Sequence, residues 1–294
     1  VGTLRRHLTP WLFTGPLIVL VGLVFLYPVV GVFRYSFQRV GSGSIESEWV
    51  GFDNYRFVYR HDLFWSALLN NAQLLLCVPI LIVLAAIVAA VLFERVKGWR
   101  TYRTFLFFPY ILSIPVVGIV FGYIFQLNGL FNTALRNVGL GALAQDWLGT
   151  SSRALWTIMA VIVWKELGFG IIVFLARLMS VNEEMFESAK IDGAGWWQRF
   201  RYVTLPQLTP AIVFFGIVET ITMLSWVFAY IYVMTSGGPG NSTIVSEWYI
   251  FQQVFTNGAI GIGSAAAVTL LGFVSLFIVV RVWLVRRTDE LAYA

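Results

Sequence analysis

Charge, cysteine and histidine are all scarce in this sequence. Only 12% of its 294 residues are Asp, Glu, Lys or Arg, while 59% are hydrophobic and the mean hydropathy is +0.78. A water-soluble domain carries about a quarter of its residues as charges, so that class is excluded. Cys77 is the single cysteine and lies inside an apolar run, which leaves no disulfide framework and no thiolate metal site. His7 and His61 are the only histidines and stand far apart, so a histidine-based metal centre has no support. No G-x-x-x-x-G-K-[ST] loop is present, and nucleotide, if used, has to be held by another chain. The net charge of +5 is too dispersed to form a nucleic-acid-binding face.

Long apolar runs are what the chain has in abundance. A helix of about 20 apolar residues crosses the hydrocarbon core of a bilayer. Such runs occur at Leu12–Phe33, Leu68–Phe93, Phe105–Phe125, Ala154–Leu178, Ala211–Met234 and Ser264–Val285. The first is too long for the apolar core of a cleavable signal peptide. Basic residues gather on one side of these runs: Arg5 and Arg6, then Arg95, Lys97, Arg100 and Arg103, then Arg177, Lys190, Arg199 and Arg201, and finally Arg281, Arg286 and Arg287. The other side holds only Arg34, Arg39, Arg56, Arg60, Arg136 and Arg153. The asymmetry places both termini and the 179–210 loop in the cytoplasm. The expected architecture is an all-α, multi-pass membrane protein with six transmembrane helices, forming one domain over residues 1–294.

Three longer segments, roughly 34–67, 126–153 and 235–263, fall on the outside. The first carries Trp49, Phe52, Tyr55, Phe57, Tyr59, Phe64 and Trp65, a density that suits an interfacial aromatic belt. The third contains Ser236-Gly237-Gly238-Pro239-Gly240-Asn241, a turn-forming run.

The cytoplasmic loop is unusual in carrying a short polar helix, Glu187-Ser188-Ala189-Lys190-Ile191-Asp192-Gly193-Ala194. An Asp-Gly pair is an ordinary helix stop, yet a loop that merely reversed the chain would not need a capped helix. Ser180-Val181-Asn182-Glu183 has the capping-box spacing, Glu183, Glu184 and Glu187 favour the positive end of the dipole, and Gly193 closes the other end. Trp196 and Phe200 share a face of a following segment that Leu205-Pro206 is expected to end. Thr209-Pro210 then supplies an N-cap and first-turn proline for the fifth span.

Glu187-Ser188-Ala189, Asp192-Gly193-Ala194, Leu205-Pro206 and Pro210 resemble the EAA loop of the membrane permeases of binding-protein-dependent ABC importers. Trp49-Val50-Gly51-Phe52-Asp53-Asn54-Tyr55, Phe107-Phe108-Pro109-Tyr110, Gly129-Leu130-Phe131-Asn132, Thr235-Ser236-Gly237-Gly238-Pro239 and Gly263-Ser264-Ala265 are similar, in the same order, to the carbohydrate-uptake group of maltose and glycerol-3-phosphate permeases. Ser188, Asn182 and Asn71 depart from residues common in that group. The resemblance implies the type I importer permease fold in a bacterial or archaeal plasma membrane, working by alternating access. It implies that Glu187, Ser188, Ala189, Asp192, Gly193 and Ala194 form a coupling helix against a cytoplasmic ATPase. The implied partners are two ATP-binding subunits, which hold ATP and Mg, a second, non-identical permease and an external solute-binding protein. No cofactor is expected on this chain.

Ionisable residues inside a membrane are costly and usually functional. Lys165 and Glu166 lie roughly 18–20 Å from the cytoplasmic end of the fourth span, and Glu219 roughly 15 Å into the fifth. These depths allow a Lys165–Glu219 pair, either as a packing element or as a polar lining of a solute path. Thr222, Ser225, Trp226 and Tyr230 add hydroxyls and aromatic faces, with Trp226 and Tyr230 on one helical face. Such a surface suits a sugar, and it equally suits plain helix packing. Gly118 and Gly122 form a small-xxx-small pair for close packing. The competing class is an ion-coupled secondary transporter with Lys165, Glu166 and Glu219 as relays. Such folds commonly carry internal repeats, and the two halves of this chain show no convincing one. An intramembrane enzyme would need a nucleophile and base that the spans do not supply.

Overall fold

In lipid, a backbone can satisfy its polar groups only within itself, so the apolar runs form helices. The computed structural model of the protein describes residues 14–40, 47–94 and 97–292, with side chains as far as residue 279. Arg5, Arg6, His7, Leu12 and Arg95, and the side chains of Arg281, Arg286 and Arg287, lie outside the described residues. Helix α1 (Thr14–Ser36) leads to a two-stranded antiparallel ribbon of β1 (Gln38–Arg39) and β2 (Glu48–Trp49), with Gln38 opposite Trp49. Then come α2 (Asp53–Arg60), α3 (Asp62–Phe93), α4 (Trp99–Ile111), α5 (Ile114–Ile124) and α6 (Leu130–Asn137). The chain continues with α7 (Ser151–Met179), α8 (Glu183–Ile191), α9 (Trp196–Ser225), α10 (Phe228–Met234), α11 (Ser246–Phe251) and α12 (Ile260–Ala292). Among the described residues, five helices are long and apolar enough to span a membrane, and the pair α4–α5 makes a sixth.

Three expectations change here. The third span is not straight: α4 and α5 meet at 96° across Leu112 and Ser113, where Pro115 in the first turn of α5 forbids continuation of α4. The surface segment from Trp196 does not stop at Leu205-Pro206 but runs on as the single helix α9. Its turn Phe200–Thr204 widens to a π-helical turn just before Pro206, which absorbs the proline without breaking the rod. Thr209-Pro210 therefore lies inside a helix and caps nothing. The fifth span, expected to run unbroken to Met234, ends at Ser225 and restarts at Phe228 as α10.

The chain forms two compact units, one of residues 1–65 with 249–275 and the other of residues 66–248 with 276–294. In the first, Phe37 sits among Trp49, Phe52 and Tyr55 with ring centroids 5.3–5.5 Å apart, and Asn54 Nδ2 donates to the carbonyls of Ser36 and Gln38. His61 Nδ1 meets the Tyr249 hydroxyl at 2.8 Å. In the second, α7 is the central helix, packed by α3, α4 and α9, with Trp156, Ala160 and Trp164 exposed along one stripe. Gly168 lets α4 approach, since a Cβ there would stand 2.5 Å from the Leu106 carbonyl oxygen, and Gly170 lies between Phe215 and Ala85. Of the expected glycine pair, only Gly118 is at a contact, against Val233 of α10; Gly122 has no neighbour within 4 Å.

Gly170→Leu is expected to overpack this core and cost about 1–3 kcal/mol, read as a lower thermal midpoint in detergent. Gly122→Leu should leave the midpoint unchanged.

Candidate functional site

Helix α8 carries its own start and stop. Asn182, extended at φ −60 and ψ 123, is the N-cap: its Oδ1 accepts from the Glu184 N–H at 3.1 Å. Ser180, the expected cap, instead closes α7 by donating its hydroxyl to the Arg177 carbonyl at 2.7 Å. Because α7 continues to Met179, Ser180 sits in its last turn, where an unpaired carbonyl is the nearest partner. At the other end Gly193 takes φ +78, with hydrogen bonds from Gly193 N–H to Lys190 and from Ala194 N–H to Ala189. That is a Schellman closure.

One face of α8 is fastened to its own unit. Phe186 is buried, with its ring 4.8 Å from that of Phe93 at the end of α3. Arg199 Nη2 reaches Glu94 Oε1 at 2.7 Å while its Nη1 donates to the Ala194 carbonyl at 2.8 Å. One guanidinium thus joins the end of α3, the turn after α8 and the start of α9. Trp196 and Phe200 stack at 5.4 Å and 7° as their shared face implied. A cavity of about 180 Å³ lies beneath the helix, lined by Glu183, Phe186, Glu187 and Lys190 and by Phe93, Glu94 and Arg199. On the opposite face Met185, Ser188, Ile191, Asp192 and Gly193 are exposed, Ile191 at 86%. Glu187 is exposed at the cavity rim, and Ala189 and Ala194 are half-buried. Phe186 and the Glu94–Arg199 tie escaped the sequence reading, although Glu183, Phe186, Glu187 and Lys190 have the i, i+3, i+4, i+7 spacing of an inward face.

The intramembrane charges pair differently from expectation. Lys165 Nζ bonds Glu166 Oε1 at 3.2 Å and the Tyr110 carbonyl at 3.3 Å, and it lies 5.1 Å from the centre of the Tyr110 ring. No Lys165–Glu219 salt bridge forms: the end of α4 offers Lys165 a carbonyl that the bend leaves free. Tyr230 donates its hydroxyl to Glu166 Oε1 at 3.3 Å. Glu219 is buried, with Oε2 unpaired among the described residues. Because the fifth span breaks, Trp226 and Tyr230 do not share a face: Trp226 is 66% exposed and Tyr230 is buried. Ser225 is exposed, and the half-buried Thr222 donates to the Val218 carbonyl.

Residues 59–290 match the family described as binding-protein-dependent transport system inner membrane component. The chain belongs to this family. It is 33% identical to the lactose transport system permease protein LacF of Rhizobium radiobacter over 259 residues, 86% of each chain. It is 32% identical to the arabinooligosaccharides transport system permease protein AraP of Bacillus subtilis, over 90% of this chain and 85% of that one. A solved bacterial alginate ABC transporter, in complex with an alginate pentasaccharide-bound periplasmic protein, contains a chain of the same fold: TM-score 0.83 at 24% identity, covering 98% and 97% of the two chains. The protein is thus a multi-pass permease of an ABC importer, with the importer permease fold, and a transport component rather than an enzyme.

In this permease, Phe186→Ala is expected to remove about 3 kcal/mol of packing and release α8, seen as faster proteolysis within residues 182–195. Lys165→Met should cost about 3–5 kcal/mol by leaving Glu166 buried without its cation, measured as lost thermal stability. Arg199→Lys, which keeps a charge but loses the fork, should fall between wild type and Arg199→Ala in the same proteolysis assay.

Proposed function

We propose that this permease carries a sugar or related polyol from an external binding protein to the cytoplasm by alternating access. The observation that carries the coupling part is α8 itself, a self-capped helix anchored by Phe186 and Arg199 with its outer face uncovered. That face, with Ser188 and Asp192 exposed and Gly193 allowing close approach, docks on a separate ATPase, and Glu187, exposed at the cavity rim, borders it. ATP and Mg belong to that subunit, of which the complete importer holds two. A second, non-identical permease completes the pathway. The loop and both ends of the chain face the cytoplasm, in keeping with the Lys and Arg asymmetry.

The sugar assignment draws on the relatives, whose names specify lactose and arabinooligosaccharides, and on alginate in the solved transporter. In the solute path, Ser225 and the exposed Trp226 offer an aromatic plate and a hydroxyl at the break of the fifth span. Lys165, Glu166 and Tyr230 brace that break from behind, with Thr222 and Glu219 along the same helix.

Co-expression with the cognate ATPase tests the coupling role. Glu187→Lys is expected to lower co-purification of the ATPase or to uncouple hydrolysis from uptake, at least tenfold by the arithmetic of about 1.4 kcal/mol lost. Uptake driven by a proton gradient, with no ATPase bound, would refute the assignment.

A further inference from the structure

An interrupted helix leaves a carbonyl and an amide without axial partners. At the break of the fifth span, the Met223 carbonyl accepts from Asn71 Nδ2 at 3.3 Å. The N–H of Val227, a fully buried residue, has no backbone acceptor among the described residues. Around it lies Glu247, in the first turn of α11, whose two carboxyl oxygens are shut from solvent and complete no hydrogen bond. The groups that face this carboxyl are the Val227 N–H, its own N–H and the Asn71 side-chain amide.

The carboxyl is brought there by specific contacts. Asn71 Oδ1 accepts from the Ser246 N–H at 2.8 Å, and Asn70 Nδ2 donates to the carbonyls of Ser242 and Ile244 at 3.0 and 2.8 Å. Trp248 stacks on Phe228, in the first turn of α10, at 5.8 Å. Two adjacent asparagines of α3 therefore hold the start of α11 against the break.

We propose that Asn71 and Glu247 are positioning residues for transport, forming a latch in which Asn71 caps the carbonyl side of the break and the neutral, enclosed Glu247 carboxyl lies against the Val227 N–H on its amide side. The proposal rests on the permease assignment. The latch acts through Tyr230, three residues beyond Val227, whose hydroxyl meets Glu166. Burial pushes the Glu247 carboxyl up to about 7, and the groups acting on it are the three amides, with no neighbouring charge among them. Below that pH it is neutral, the form that burial tolerates. As pH rises from the ordinary glutamate value through about 7, this enclosed arrangement loses stability, because the charged carboxylate is better solvated outside the enclosure. The break is therefore held in acid and loosens above neutrality.

The test uses the full chain in lipid nanodiscs, without ATPase or solute, so its outcome is independent of the co-purification experiment above. Ser225→Cys places a thiol at the break, where Ser225 is exposed, while the native Cys77 is buried. Labelling by an uncharged maleimide is followed from about pH 6 to about pH 8.5, across the ionisation. With Glu247 present, labelling should rise by about threefold relative to the Glu247→Gln protein as the carboxyl ionises. Glu247→Gln should follow only the thiol's own titration, and Asn71→Leu should label faster at every pH. Identical pH profiles for Glu247 and Glu247→Gln would overturn the latch. The glutamine is nearly isosteric, so this comparison stands even if Asn71→Leu does not fold.

Discussion

In this permease, every interruption of a membrane helix has to find partners for the backbone groups it exposes. The structure meets that demand in three different ways. At the bend between α4 and α5, the Tyr110 carbonyl is taken by Lys165, a charge that α7 carries into the core. At the break after α9, the Met223 carbonyl is taken by Asn71 of α3. Before Pro206 no outside group is needed, because the π-helical turn at Phe200–Thr204 re-routes the Leu205 N–H to the Phe200 carbonyl. Polar residues that look misplaced in an apolar sequence are thus largely answers to helix breaks. Lys165 also joins Glu166, which receives the Tyr230 hydroxyl, so one buried cluster connects the bent third span, the central fourth and the restarted fifth.

The same economy governs the loop. Helix α8 makes little claim on the bundle beyond Phe186, and it ends in a turn whose Ala194 carbonyl is held by Arg199. Because Arg199 also grips Glu94, displacement of α8 is passed to α3 and α9 through a single planar group. Arg suits that position because its fork meets two acceptors at once.

Much of this was legible in the chain. Composition and run length identify the membrane class and the spans, since hydropathy over about 20 residues is a direct statement about the bilayer. Gly193 and the Asp-Gly stop predicted the end of α8 because left-handed backbone favours glycine. The errors share one cause, which is that local signals were overruled by partners distant in sequence. Ser180 had the spacing of a cap, but α7 ran long enough to claim it, and Asn182 took the role. Leu205-Pro206 read as a stop, but a π turn absorbed it. Lys165 and Glu219 have similar depths, but depth says nothing of the free carbonyl that a bend in another helix would present. The break at Trp226 has neither proline nor glycine to announce it, and only the asparagines of α3 show what holds it.

The uninterrupted run of α9 from the membrane surface to the break has a geometric consequence. Thirty residues of helix measure about 45 Å at 1.5 Å per residue. If its Trp196 end is the pivot, a tilt of about 10° carries the Ser225 end sideways by roughly 8 Å, more than the pitch of a helical turn. A rotation too small to disturb the stack of Trp196 on Phe200 would therefore be amplified into a wide excursion at Trp226, at the break of the fifth span. The widened turn at Phe200–Thr204, one turn from the pivot, sets how much of that excursion the rod transmits and how much it dissipates by flexing.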